Sequence, residues 1–235
     1  MILADFGTTY CKILDLAAPH PVPAIIPAKE LPPATRVDVA TGHNGQRFAH
    51  HYVNELIALA KGGESLIAEE SYLLLDCGSR DIKFIRYGEG RVQDMGWNTE
   101  CGASMGFTIE LLQKYYGLDF EELPVPERPF SITCGVLGMS HIFDAVIGGL
   151  AVGEAVARFI KGIAINAYRF AGSPAKLYLS GGLCANPIFV GSFPCEVLPL
   201  GRFTLLRGLA RQALNLPESA TGEETRRQLH SFLNR

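Results

Sequence analysis

The sequence repeats one strand–turn–strand pattern, and this repeat constrains the fold more than any other feature. The first copy spans residues 5–12 (Asp-Phe-Gly-Thr-Thr-Tyr-Cys-Lys) and the second spans residues 76–83 (Asp-Cys-Gly-Ser-Arg-Asp-Ile-Lys), so Asp, Gly and Lys recur at the same offsets. Apolar residues precede and follow each copy, which is typical of a β-hairpin with a small-residue tip. Two hairpins of one design predict two similar half-domains that face each other across a cleft and bind one ligand.

Each predicted tip offers groups that bind polyphosphate, namely backbone amides, hydroxyls and a cation. Asp5 and Asp76 are suited to hold Mg²⁺ through water, because this ion keeps much of its hydration shell and takes one or two carboxylates beside phosphate oxygens. Lys12 would neutralise phosphate charge. The other tip residues predicted to contact the ligand are Gly7, Thr8, Thr9, Gly78, Ser79 and Arg80. The simpler alternative is that each copy is only a strand followed by a turn.

A third pattern follows both hairpins, where an apolar run from residue 175 predicts a strand that ends in a Gly-Gly turn. Paired glycines let the backbone lie against a flat group such as a purine or a ribose. A lone Gly-Gly after a strand is common, so this one is informative only because it follows both hairpins in the sequence. The candidate nucleoside contacts are Ser180, Gly181, Gly182 and Asn186.

Composition narrows the class of protein. The 235 residues, of which 48% are apolar and 19% charged, are enough for one domain or two small ones with a core of their own. A net charge of -3 and a pI near 6.1 argue against a nucleic-acid partner. No basic leader and no long apolar run occur, so we expect neither a secretion signal nor a membrane partner, and we expect a cytoplasmic protein.

Two of the six cysteines lie among small residues ahead of helical patterns. Cys101 falls in residues 98–106, before a predicted helix at 107–116, and Cys134 falls in residues 131–136, before a helical pattern at 142–170. A helix N-terminus binds anions and lowers the pKa of a thiol, which suits a metal ligand or a nucleophile. Two thiols are too few for a tetrahedral zinc or a cluster, but two chains related by a two-fold axis would supply four, enough for a [4Fe-4S] cluster. The alternative is a tight loop with an incidental cysteine.

The remaining patterns predict the connections and the domain boundaries. The Pro-rich residues 17–33 predict an irregular or edge-strand segment, and residues 48–61 predict a helix that ends on Gly62-Gly63 as its C-cap. Residues 202–216 predict a helix, and residues 222–235 a terminal one. We expect a first half-domain at 1–70, joined by the helix at 222–235, and a second at 71–221.

These residues resemble the motifs of the ATPase activators of 2-hydroxyacyl-CoA dehydratases and benzoyl-CoA reductases, which are members of the acetate/sugar kinase, Hsc70 and actin superfamily. Residues 5–12 look like the first phosphate motif of the family, residues 76–83 like the second, and Ser180-Gly181-Gly182 like the adenosine motif. Thr41-Gly42 is similar to the start of the family's Thr-Gly-Tyr-Gly segment. Most specifically, residues 98–106 look like its Asn-Asp-Lys-Cys-Ala-Ala-Gly-Thr-Gly loop, and residues 133–136 like its second Cys motif.

The resemblance implies an α/β, actin-like ATPase fold of two ribonuclease H-like half-domains with a nucleotide cleft between them. It implies that ATP or ADP binds with Mg²⁺, with Asp5, Asp76, Asp81 and Lys12 in catalytic roles and Gly106 beside the nucleotide. It also implies a homodimer with one [4Fe-4S] cluster held by Cys101 and Cys134 of both subunits. ATP hydrolysis would then drive one low-potential electron to an iron-sulfur CoA-ester dehydratase or reductase.

Two departures from the family pattern keep other functions open. Arg80 stands where the family usually has Gln, which favours phosphate binding over the orientation of an attacking water. Leu137-Gly138-Met139-Ser140-His141 replaces Phe-Ala-Glu-Ser-Glu, so two acidic groups are lost. One alternative is a small-molecule kinase resembling type III pantothenate kinase, for which Asp81 is the available carboxylate base. The other is a nucleotide-binding scaffold without hydrolysis.

Overall fold

The computed structural model describes residues 1–98, 105–216 and 222–234. Over these residues the strands are β1 (Ile2–Phe6), β2 (Tyr10–Asp15), β3 (Ala24–Pro27), β4 (Val37–Thr41), β5 (Ala49–Tyr52), β6 (Tyr72–Cys77), β7 (Ile82–Gly88), β8 (Arg91–Asn98), β9 (Lys176–Ser180) and β10 (Glu196–Gly201). The α-helices are α1 (Glu55–Leu66), α2 (Met105–Tyr116), α3 (Met139–Ile147), α4 (Val152–Phe170), α5 (Pro187–Gly191), α6 (Thr204–Ala213) and α7 (Glu223–Leu233). The chain divides into two compact units, unit 1 (Met1–Glu70 and Arg202–Arg235) and unit 2 (Ser71–Gly201).

Unit 1 is built on a mixed sheet whose described strands have the order β3-β2-β1-β4-β5. The central strand β1 pairs antiparallel with β2 and parallel with β4. Four of the five residues of β1 are buried: α6 contacts this strand, and Ala4 and Phe6 pack in an apolar cluster with Val37 and Ala40. Strand β3 lies at the edge and comes from the Pro-rich segment, as predicted, since proline is tolerated where no ladder hydrogen bond is needed.

Unit 2 repeats this arrangement, with the order β8-β7-β6-β9-β10 among its described strands. The central strand β6 pairs antiparallel with β7 and parallel with β9. All six residues of β6 are buried, and its near-continuous apolar run is typical of a central strand covered on both faces. The core forms where β6, β7 and β9 pack against α4, whose buried face includes Val156, Phe159 and Ile163.

The two units therefore share one topology: a hairpin, a third antiparallel strand, and two parallel strands on the other side of the central one. Both predicted hairpins are confirmed, with Asp5 opposite Lys12 and Asp76 opposite Lys83. The α/β class and the pair of similar halves are confirmed as well. The duplication matters for function because it puts chemically matched residues at matched places in two sheets.

The close packing of α1 against α6 corrects the predicted domain boundary. Residues 202–221 were expected in the second half, but α6 contacts α1, β1 and β4, so the division falls between Gly201 and Arg202. Glycines make this packing possible. A Cβ at Gly208 would overlap the carbonyl oxygen of Ala58, and a Cβ at Gly62 would overlap that of Thr204.

Two predicted helices have different bounds. Residues 49–52 form β5 rather than the first turn of a helix, because they pair with β4, and α1 begins only after Asn54, whose side chain accepts a hydrogen bond from the Leu56 amide. The predicted C-cap at Gly62-Gly63 is wrong, since both glycines lie within α1. The single helical pattern at 142–170 is two helices, separated at a turn where Gly149 has a φ of 94°.

The α1–α6 contact gives a test of the fold. We expect Gly208→Ala to destabilise the protein by about 2 kcal/mol or more, because the new methyl group would force two helix backbones apart. Chemical denaturation measures the free energy of unfolding. Gly182→Ala is the matched control, since a Cβ at Gly182 would meet no atom within 4 Å. Equal stability of the two variants would contradict this account of the contact.

Candidate functional site

The tip of the first hairpin places a cation beside a buried carboxylate. Asp5 is only 3% exposed, and its Oδ2 accepts a hydrogen bond of 2.6 Å from Lys12 Nζ. A Cβ at Gly7 would lie 2.7 Å from the carbonyl oxygen of Tyr10 and 3.8 Å from Lys12 Nζ, so glycine is required here and the ammonium group lies at the tip. Cross-strand pairing of Asp5 with Lys12 therefore places a cation on the buried carboxylate at this tip.

The two threonines of this tip differ. Thr8 is exposed, whereas the Oγ1 of Thr9 is buried and has no hydrogen-bond partner. The carbonyl oxygen of Thr9 accepts a hydrogen bond from the Ala28 amide, which fixes the end of the tip against β3. A buried hydroxyl without a partner is uncommon and costs free energy, so the tip has an unused donor at the place where phosphate was expected.

The second tip contains a larger polar network. Ser180 Oγ donates to Asp76 Oδ1 at 2.7 Å, and Lys83 Nζ donates to Asp81 Oδ1 at 2.8 Å while lying 4.0 Å from Asp76 Oδ2. The indole Nε1 of Trp97 donates to Asp81 Oδ2 at 2.8 Å, and the Lys83 ammonium lies 5.3 Å from the centre of the Trp97 ring. Both oxygens of Asp81 are therefore engaged within the network.

Lys83 and Trp97 are site residues that the sequence reasoning did not assign. Lys83 is almost fully buried, and its match in offset to Lys12 was a signal that it belonged to the site. Trp97 had no sequence signal, because it reaches the network through the antiparallel pairing of β7 with β8, where Lys83 lies opposite Trp97.

The first turn of α2 packs directly against the second tip. A Cβ at Gly106 would lie 2.7 Å from the carbonyl oxygen of Gly78 and 3.0 Å from Ser79 Cα. The Phe107 amide donates to the carbonyl oxygen of Ser79 at 3.1 Å. Gly106 thus lies at the second tip, and Arg80 is exposed at the same tip.

The predicted Gly-Gly turn lies at the carboxyl end of β9, next to Asp76. Asp76 pairs with Ser180 in the parallel ladder, and Gly181 adopts a φ of 95° that leaves no room for a Cβ against the backbone of Cys77. Gly182 is exposed with open space around it. The side-chain oxygen of Asn186 caps α5 by accepting a hydrogen bond of 2.8 Å from the Phe189 amide.

Of the two predicted cluster ligands, Cys101 lies outside the described residues and Cys134 lies in a tight turn before α3. The Cys134 side chain is buried, and its carbonyl oxygen accepts a hydrogen bond of 2.7 Å from the Gly138 amide. Asn166 of α4 donates to the carbonyl oxygen of Ile132 and holds this segment in place. Within residues 1–98, 105–216 and 222–234, no group of three or more His, Cys, Asp or Glu residues is arranged to hold a metal ion.

The duplicated sheets and their matched tips define an α/β, two-lobed, actin-like fold. No family model and no curated protein matches the sequence. The chain is similar in structure to the activator of the 2-hydroxyisocaproyl-CoA dehydratase from Clostridium difficile with bound ADPNP, with a TM-score of 0.74 and 19% identity over 96% of this chain and 97% of that one. It is also similar to component A of the (R)-2-hydroxyglutaryl-CoA dehydratase from Acidaminococcus fermentans, with a TM-score of 0.71 and 18% identity over 94% and 98% of the chains.

These likenesses confirm, at the level of the fold, the resemblance to the activator family that the motifs predicted. A kinase shares the fold more distantly: a putative 2-dehydro-3-deoxygalactonokinase from Sinorhizobium meliloti matches with a TM-score of 0.55 and 12% identity over 91% of this chain and 98% of that one. Among the helices that the structure describes, none has the length and apolar character to cross a membrane.

The buried thiol beside the first tip gives a pH-dependent prediction. Burial, together with the nearby Asp5 carboxylate, raises the pKa of Cys11 to about 12, although Lys12 acts in the opposite direction. Below the ordinary value of 9.0 the thiol is neutral in both the folded and the unfolded chain. Above that value the unfolded chain ionises first, so stability should fall as the pH rises from 9.0 towards 12.

We expect Cys11→Ala to remove this contribution. Above pH 9 the free energy of unfolding of the wild type should fall with rising pH more steeply than that of the variant. The difference between the two slopes should be about 1 kcal/mol per pH unit. Denaturant titrations at several pH values measure both slopes. Identical slopes would show that Cys11 ionises as readily in the folded protein as in the unfolded one.

Proposed function

We propose that this protein binds Mg-ATP with its two hairpin tips and the Gly-Gly turn, and that it is an ATP-dependent electron donor. In this proposal ATP hydrolysis drives one low-potential electron to an iron-sulfur CoA-ester dehydratase or reductase. The observation that carries the proposal is the match of backbone over almost the whole chain to a dehydratase activator that binds ADPNP, together with matched carboxylate and lysine residues at both tips.

The nucleotide part of the proposal rests on the chemistry of the tips. Lys12 lies at a glycine-lined tip where its ammonium can turn from Asp5 to a phosphate, and the buried Thr9 hydroxyl is an unused donor beside it. Asp5 and Asp76 would hold Mg²⁺ through water. Gly182 offers open space for the nucleoside, whereas Gly181 is fixed by its backbone contact. Arg80 would contact the terminal phosphate, and Asp81 would hold Lys83 in place at the tip.

The cluster part rests on Cys134 and Cys101 and requires a second copy of the chain. Thiolates are the usual ligands of a [4Fe-4S] cluster, and four of them come from two chains. In the single chain the Cys134 side chain is buried, while Leu137 of the same turn is 75% exposed, so a second copy would have to contact this turn for the thiol to serve as a ligand. The cluster would supply one electron at low potential.

Exposed apolar side chains on two helices support the homodimer. On α2 they recur at intervals of four residues, which places them on one face, and α3 has a similar face. They are Phe107, Leu111 and Tyr115 on α2, and Phe143 and Ile147 on α3. Each helix follows a cysteine segment in the sequence. A two-fold contact that covers these faces would bring the thiols of two chains together.

The kinase alternative is less well supported by the geometry. A kinase needs a carboxylate that accepts the proton of the acceptor hydroxyl, and both oxygens of Asp81 are already bonded to Lys83 and Trp97. The scaffold alternative keeps one specific observation in its favour, since the exposed Arg80 would bind phosphate without orienting water. Steady ATP turnover by the reduced protein would exclude the scaffold.

Gly182 provides the test of nucleotide binding. We expect Gly182→Val to weaken Mg-ATP binding about tenfold or more, because the added side chain would fill the open space proposed for the nucleoside. Isothermal titration calorimetry measures the affinity, and the thermal midpoint without nucleotide should stay close to that of the wild type. Ala175→Val, at the opposite end of β9, is the matched control. Unchanged affinity for Gly182→Val would contradict the proposed nucleoside position.

Anaerobic reconstitution tests the cluster. We expect about four irons per dimer, with loss of the iron in Cys134→Ser and its retention in Cys195→Ser. Iron analysis and sedimentation measure the two quantities. Ile147→Asp should lose both the dimer and the iron, whereas Val125→Asp, which changes an exposed apolar residue outside α2 and α3, should keep both. A dimer without iron after reconstitution would contradict the electron-transfer proposal.

A further inference from the structure

The duplicated sheets identify Thr41 as the counterpart of Ser180. In unit 2, Asp76 lies opposite a lysine in the antiparallel hairpin and opposite Ser180 in the parallel ladder. In unit 1, Asp5 has the same two neighbours, with Lys12 in the hairpin and Thr41 in the parallel ladder. A hydroxyl residue therefore stands beside the buried aspartate in both halves.

The glycine that follows each hydroxyl residue strengthens this equivalence. Gly42 has a φ of 93° and Gly181 a φ of 95°, values that favour glycine. A Cβ at Gly42 would overlap the backbone of Phe6, and one at Gly181 would overlap the backbone of Cys77. Phe6 and Cys77 are the residues that directly follow the two aspartates, so the local backbone is the same in both units.

The hydrogen bonds of the two aspartates nevertheless differ. In unit 2 the hydroxyl of Ser180 donates to Asp76 at 2.7 Å. In unit 1 Lys12 donates to Asp5 at 2.6 Å, and the Oγ1 of Thr41 is fully buried without a hydrogen-bond partner. In unit 2 the hydroxyl thus bonds to the aspartate, and in unit 1 the lysine does.

A second carboxylate explains why Lys83 does not bond to Asp76 in the way that Lys12 bonds to Asp5. Lys83 donates to Asp81 at 2.8 Å and lies 4.0 Å from Asp76. The hairpin registers make Tyr10 the equivalent of Asp81 in the first tip, because Phe6 lies opposite Cys11 as Cys77 lies opposite Ile82. The first tip therefore has a tyrosine where the second has the carboxylate that holds Lys83, and an added anion such as phosphate would take this role for Lys12.

We propose that Thr41 is a positioning residue for Asp5. When a polyphosphate draws the Lys12 ammonium away, the Thr41 hydroxyl donates to the Asp5 carboxylate and holds it as Ser180 holds Asp76. The exchange satisfies a donor that is otherwise buried without a partner, and it keeps the carboxylate bonded at the moment it would take up hydrated Mg²⁺. This inference rests on the proposed nucleotide site and adds a residue to it.

A double-mutant cycle on the nucleotide-free protein tests the exchange directly. Lys12→Met removes the ammonium but keeps the aliphatic stem, so Thr41 should then donate to Asp5. In that background Thr41→Val should raise the unfolding equilibrium constant about tenfold, whereas in the wild-type background it should not raise it. The matched control is Thr204→Val, which removes another buried hydroxyl without a partner and should have one effect in both backgrounds. Equal effects of Thr41→Val in the two backgrounds would overturn the inference.

Calorimetric titration with Mg-ATP tests the role in binding. Thr41→Val should weaken the affinity about tenfold, Thr41→Ser should restore it to within about twofold, and Thr204→Val should leave it unchanged. A Thr41→Val protein that binds as tightly as the wild type would overturn the inference while leaving the nucleotide site standing. A wild-type protein that binds no nucleotide would instead overturn the proposed function, and the cycle above would still decide whether Thr41 takes the place of Lys12 on Asp5.

Discussion

A buried carboxylate near the end of each central strand is the constraint on which both halves depend. Asp5 and Asp76 are almost inaccessible to solvent, and a buried negative charge is costly unless it is paired and hydrogen-bonded. The antiparallel neighbour supplies a lysine and the parallel neighbour a hydroxyl. The pairing of these three strands, and the glycine with a positive φ that follows the parallel one, therefore act together to stabilise the buried carboxylate. The same arrangement occurs in both units.

The parts of the fold that depend on local residues could be predicted from the sequence, and the parts that depend on distant contacts could not. Alternating apolar residues around small turns indicated both hairpins and the strand before Gly181. Residues 49–52 form a strand only because β4 lies beside them, which no local pattern reveals. Gly62 looked like a helix end, but it allows a second helix backbone to approach, and both uses of glycine leave the same sequence signal.

The site divides in the same way. The repeated spacing of Asp, Gly and Lys predicted the tip residues. The position of Trp97, and the buried Thr41 hydroxyl beside Asp5, depend instead on pairing between strands and could not be predicted from the sequence. Asp81 was assigned a catalytic role from its place in the motif. The structure shows its carboxylate bonded to Lys83 and Trp97, so its first function is to hold the second tip together.

The contact between α2 and the second tip gives the proposed chemistry a mechanical consequence. Gly106 is so close to Gly78 and Ser79 that no side chain separates the helix from the loop, and an amide of the first helical turn is bonded to the loop. A phosphate that displaces this loop must therefore displace the start of α2 with it. The same helix carries the exposed Leu111 and Tyr115, so its movement would alter the apolar face proposed for the dimer.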